Sequence, residues 1–101
     1  MKDNTNTNKE QDTITHFIES VKEDSRIDST HISLYVSLVH QWIAKGKENS
    51  LPVYRHEIMS LCKISGTATY HKSIRELHEY GYIKYVPSFN HFLGSLVTYK
   101  S

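Results

Sequence analysis

Apolar residues recur along this chain at helical spacing in four stretches, and two β-rich runs come after the last of them. Ile14, Phe17, Ile18 and Val21 form one stripe, which predicts a short amphipathic helix from about Asp12 to Lys22, within a region 12–24. Residues 1–11 hold only Asn, Thr, Lys, Asp, Glu and Gln after the initial Met, with no apolar anchor, and are expected to be a disordered tail. Glu23 to Asp28 breaks the pattern and reads as a connector. Asp28, Ser29 and Thr30 are all suitable N-caps for the next helix. That helix carries Ile32, Tyr35, Val36, Val39, Trp42 and Ile43 on one face and Leu34 and Leu38 on another. A helix apolar on two sides has to be covered on two sides, by the N-terminal helix of the same chain or by a second copy.

Lys45 to Ser50 forms a loop, and Leu51-Pro52-Val53 is short and extended, because proline lacks a donor and biases its predecessor away from helix. A third helix is expected over Arg55–Cys62 with Ile58, Leu61 and Cys62 facing inward, although Tyr54 is a poor cap. Lys63-Ile64-Ser65-Gly66 is a tight connector. The helix from about Thr67 to Tyr80 buries Tyr70, Ile74 and Leu77 and ends before Gly81, placed for a left-handed helix stop. Tyr82 to Val86 and Ser95 to Lys100 read as antiparallel strands joined by Pro87 to Gly94. The expected core unites Trp42, Ile58, Leu61, Ile74, Leu77 and Ile83.

This order resembles a winged helix-turn-helix domain over roughly residues 30–100. It is similar in plan to bacterial regulators of the GntR and MarR families, and to winged-helix domains of replication-initiation and mobile-element proteins. In those families a Ser/Thr-rich start of the recognition helix is followed by a leucine, three residues and Gly-Leu-Ile or Gly-Leu-Val. Here Ser65, Thr67 and Thr69 stand at that start, and Leu77 precedes Gly81-Tyr82-Ile83 at that spacing. The arginines common at the start of a GntR recognition helix are replaced by Thr67 and His71. The expected fold is therefore mainly α with a small β-hairpin: a three-helix core plus wing, with an extra N-terminal helix, in a single domain 12–101.

Composition limits the function. A chain of 101 residues fits one domain, and its 38% hydrophobic and 23% charged residues suit a polar tail on a modest core. The single cysteine, Cys62, excludes an internal disulfide, and the polar N-terminus has no signal-peptide core. Both suit a cytoplasmic protein without a membrane partner. Net charge is +1 but uneven. Residues 1–30 hold four Lys and Arg against seven Asp and Glu, or −3. Residues 31–101 hold eight against four, or +4, and six of the seven histidines. A mildly basic domain behind an acidic N-terminal region permits nucleic-acid binding.

Thr67, Thr69, His71, Lys72 and Arg75 lie opposite the apolar stripe of the fourth helix and can meet base edges and phosphates. In a winged helix the N-terminal half of this helix enters the major groove. Asn90 and His91 stand at the wing tip, beside the apolar Phe89, Phe92 and Leu93. The same residues also fit the plain solvated face of an amphipathic helix. No Cys-x-x-Cys or His-Glu-x-x-His spacing points to a metal. No glycine-rich phosphate loop or nucleophile motif points to an enzyme, a cofactor or a small-molecule substrate. Glu76 and Glu79, the one tight carboxylate pair, look like wet surface. The sequence thus points to a small DNA-binding regulator, possible as a homodimer through the N-terminal helix and the Leu34/Leu38 face. The alternatives are a winged-helix protein-interaction module or a replication or recombination accessory factor.

Overall fold

A computed structural model describes residues 5–46, 50–88 and 94–99. The chain is mainly helical with a small antiparallel sheet. Its order is α1 (Thr5–Val21), α2 (Ser29–Ala44), β1 (Leu51–Val53), α3 (Arg55–Cys62), α4 (Thr67–Glu79), β2 (Ile83–Val86) and β3 (Ser95–Tyr99).

Two expectations are corrected at the outset. Helix α1 begins at Thr5, inside the expected 1–11 tail, and it ends at Val21, before residue 24. Nothing between Thr5 and Asp12 is a glycine or proline, so the helix held by Ile14, Phe17 and Val21 meets no breaker on its way back. The sheet also has three strands, not two. β3 lies between β1 and β2, in the order β1-β3-β2. Leu51, Pro52 and Val53 pair with Val97, Leu96 and Ser95, and Ile83 to Val86 pair with Tyr99 to Leu96. Pro52 fits because β1 is an edge strand.

Asp28 is the N-cap of α2. Its Oδ1 accepts from the Thr30 and His31 backbone N–H groups, at 2.9 and 3.2 Å. The His31 ring closes a capping box in return, its Nδ1 accepting from the Asp28 N–H at 3.1 Å. Helix α3 has the expected bounds, and Tyr54 provides no side-chain cap. α3 ends on Lys63 in the left-handed conformation (φ 64°), and the Ile64 N–H reaches back to the Met59 carbonyl at 3.2 Å. Helix α4 ends in the same way on Gly81, φ 91°, with the Tyr82 N–H on the Leu77 carbonyl at 2.9 Å.

Leu34, Leu38, Ile58, Ile74, Leu77, Ile83 and Val97 are fully buried in one core, with Trp42 packed against its edge. Leu61 is corrected: it is 39% exposed. Leu61 and Cys62 are neighbours about 100° apart on a short helix, and Cys62 takes the inward position.

The two-sided pattern of α2 is resolved within one chain. Leu34 and Leu38 join the core that α3 and α4 complete. The other side receives α1, where the Phe17 ring stacks on Tyr35 with centroids 3.8 Å apart and an interplanar angle of 4°. Leu34 and Leu38 are therefore unavailable to a second copy, and the outward apolar residues of these two helices are Val36, Ile43 and Ile18. No helix among the described residues is long and apolar enough to cross a membrane.

Candidate nucleic-acid interface

The site is the outward side of α4, and helical geometry sets its contents. Tyr70, Ser73, Ile74 and Leu77 are buried. At about 100° per residue, Ala68, Lys72, Arg75 and Glu79 then form the opposite ridge. Thr67, Thr69, Lys72 and Arg75 are all exposed. His71 sits at the flank, half-buried, its ring meeting Tyr70 edge-on at 5.3 Å. Ala68, passed over in the sequence, belongs to the ridge, and a methyl is the group that can meet a thymine methyl. Asn90 and His91, with Phe89, Phe92 and Leu93, lie outside the described residues.

The first turn of α4 is open. Gly66 is its N-cap and contributes no side-chain hydrogen bond, so the leading N–H groups gain no side-chain cap. A four-residue turn, Lys63 to Gly66, joins α3 to this end. Among the described residues Arg75 has no hydrogen-bond or ion-pair partner. Lys72 Nζ lies 3.4 Å from Glu76 Oε2, with its side chain 72% exposed.

Glu76 is not the wet surface the sequence suggested. Its side chain is 20% exposed, and Oε1 lies 2.8 Å from His31 Nε2. His31 is 3% exposed. The His31 ring lies between two carboxylates: Nδ1 is 3.1 Å from both the Asp28 backbone nitrogen and Asp28 Oδ1, and Nε2 donates to the Glu76 carboxylate. That bond, followed by Lys72, holds the Glu76 carboxyl below its ordinary range against the opposing effect of burial.

The far end of α4 is tied down from several directions. His78 Nδ1 accepts from the Tyr85 N–H at 3.1 Å, which occupies an outer donor of β2. The Tyr82 hydroxyl donates to Asp24 Oδ2 at 2.7 Å. Arg26 grips the same carboxylate through Nε and a terminal nitrogen, both at 2.8 Å, and its guanidinium lies 4.1 Å from the Tyr80 ring centre. Arg26 first, and Tyr82 after it, hold the Asp24 carboxyl well below the usual range. Burial, with Asp24 after it, pushes the Tyr82 hydroxyl up to about 12. The signal for these contacts in the sequence was slight: Asp24 and Tyr82 are 58 residues apart, and His31 and Glu76 are 45 apart.

Where β3 begins, Gly94 lies against Tyr54. A Cβ there would meet the ring at 3.0 Å and the Val53 carbonyl at 3.1 Å, and φ is 72°. A larger residue would be strained in that backbone conformation and would need Tyr54 or β1 to give by a few tenths of an ångström. Among the described residues no group of three or more His, Cys, Asp or Glu is placed to hold a metal ion.

Comparison with protein-family models, with curated proteins and with solved structures returns no match.

Proposed function

We propose that this chain is a sequence-specific double-stranded DNA-binding protein on a winged-helix plan, acting as a small regulator without an enzymatic activity of its own. The observation that carries the reading is the outward side of α4, where Lys72 and Arg75 share one ridge and the exposed hydroxyls of Thr67 and Thr69 flank it at an open N-terminal turn. Backbone N–H groups and the helix dipole favour phosphate at such an end. Arg75 has the fork that recognises guanine, and Lys72 is a point charge suited to phosphate. The element order α2-β1-α3-α4-β2-β3, the four-residue turn before α4 and the central position of β3 support the winged-helix plan.

A second reading, a protein-interaction module, is favoured by one observation. Leu96 and Val86 are both exposed, stand opposite each other in register, and continue to Pro52 across the sheet. A homodimer in either reading would use Val36, Ile43 and Ile18 rather than Leu34 and Leu38.

The test is titration against random and selected duplexes over a range of salt. With about three phosphates neutralised per protomer, log K should fall with log salt at a slope of about −3. Arg75→Ala should cost about 1–3 kcal/mol on the preferred site alone, and Lys72→Ala should weaken all DNA and flatten the slope by about one. Absence of binding at low salt would favour the protein-interaction reading. Equal losses on specific and random DNA for both variants would remove base reading by Arg75.

A further inference from the structure

We infer that Glu76 is a pinned counter-charge that holds Lys72 back from phosphate and so limits the sequence-independent attraction of this chain for DNA. The inference rests on the DNA-binding reading and adds the control of the same helix face. Its ground is a chain of three contacts. The Asp28 N–H fixes His31 through Nδ1, His31 Nε2 fixes Glu76 Oε1 at 2.8 Å, and Glu76 Oε2 meets Lys72 Nζ at 3.4 Å.

Helix stability does not account for this carboxylate. Glu76 lies in the last turn of α4, where the helix dipole disfavours negative charge. Lys72 precedes Glu76 by four residues, the weaker of the two orders for such a pair. An exposed Lys–Glu pair is also normally too mobile to matter, because both side chains must be ordered to make it. Here one partner is already ordered. His31 is buried, its ring is fixed from α2, and the Glu76 oxygen it holds cannot swing away when a phosphate approaches.

The consequence is electrostatic. Sequence-independent binding comes almost wholly from cations meeting phosphates. The compact part of the chain has a surplus of only four positive charges over residues 31–101, so one fixed negative charge on the α4 face is a large fraction of it. Lys72 remains on the ridge, but every approach to a phosphate has to draw it from a carboxylate that does not move with it.

Glu76→Gln tests this, because the amide oxygen still accepts from His31 while the charge that holds Lys72 is gone. On random duplex at low salt the variant should bind about five- to ten-fold more tightly, with the salt slope steeper by well under one, because Lys72 already supplies a phosphate contact in the wild type. In a Lys72→Gln background the same change should gain less than about two-fold. A gain of equal size in that background would overturn the inference, since plain repulsion would then be acting. Urea unfolding checks that Glu76→Gln is folded. If it is not, the pair His31→Phe with Glu76→Met, which replaces both partners of the buried bond by apolar groups and removes the same charge, has the same expectation. Wild-type binding with unchanged Glu76 variants would overturn this inference alone, and a wild type that binds no DNA would overturn it together with the reading beneath it.

Discussion

The two ends of α4 are built on opposite principles. Its last turn is anchored by α2 through His31 and Glu76, by β2 through His78 and the Tyr85 N–H, and by the α1–α2 connector through Arg26, Tyr80, Asp24 and Tyr82. Its first turn has a glycine cap without a side-chain bond and a row of exposed Thr67, Ala68 and Thr69. Among the described residues the polar ties from other elements reach α4 in its last turn and just beyond it. The end left open is the one with free N–H groups and short side chains. A helix held by its C-terminal end can present its N-terminal end to a groove without the fold losing a contact when the ligand leaves.

The difference between the ends should be largest through the core. Leu77→Ala, at a fully buried position beneath the anchored turn, should cost about 2–5 kcal/mol in a urea or thermal unfolding experiment. Thr69→Ala, at the open end, should leave the unfolding midpoint almost unchanged. Equal costs would mean that the two ends are not built differently.

A smaller effect isolates the connector. Tyr82→Phe removes one hydrogen bond to Asp24, partly screened by solvent, and should cost about 1 kcal/mol. The same cluster sets the pH limits. Asp24 and Glu76 ionise below their ordinary values of 3.8 and 4.5 in the folded chain, so their contribution is complete above that range and is lost as pH falls below it. Tyr82 and Tyr35 are pushed up to about 12, the latter by burial under Phe17. The unfolded chain ionises these hydroxyls near 10, so stability should fall as pH rises from about 10 to 12. Unfolding midpoints measured across both windows check the sign, and Tyr82→Phe should blunt the alkaline loss.

Range decides which features were legible in the sequence. Period-3.6 stripes are local, and they located α2, α3 and α4 with bounds close to those observed. The ridge of α4 comes from the same arithmetic, which is why Lys72 and Arg75 are found on its exposed side, whereas Thr67 and Thr69 are exposed because they lie in the open first turn. The pairing of β1 with β3 was hidden because three residues around Pro52 show no alternation. Leu61 was misplaced because one apolar pair at the end of a short helix has no second turn to fix its phase. His31 was missed because a capping box is recognised by Glu or Gln at its third position, and here an imidazole fills that role. Glu76 was missed with it, since nothing near Glu76 in sequence announces a buried partner from another helix.

The smallest expected effect bears on the turn that feeds the open end. α3 and α4 both stop on a left-handed residue. At α4 it is Gly81, which reaches φ 91° without penalty, and at α3 it is Lys63 at φ 64°. A side chain in that conformation costs about 1–2 kcal/mol, and glycine returns about 0.5–1 kcal/mol of that through its freer unfolded state. Lys63→Gly should therefore raise stability by about 0.5–1 kcal/mol, read as a higher urea midpoint at unchanged slope. The residue is exposed, so no packing is lost with it. The same variant then sharpens the contrast between the two ends of α4. If it gains stability but loses affinity for random duplex, the lysine is kept in a strained turn for its charge, beside the end that faces phosphate. If it gains stability with DNA binding unchanged, the strain has no functional return, and the phosphate-facing surface stops at Thr67.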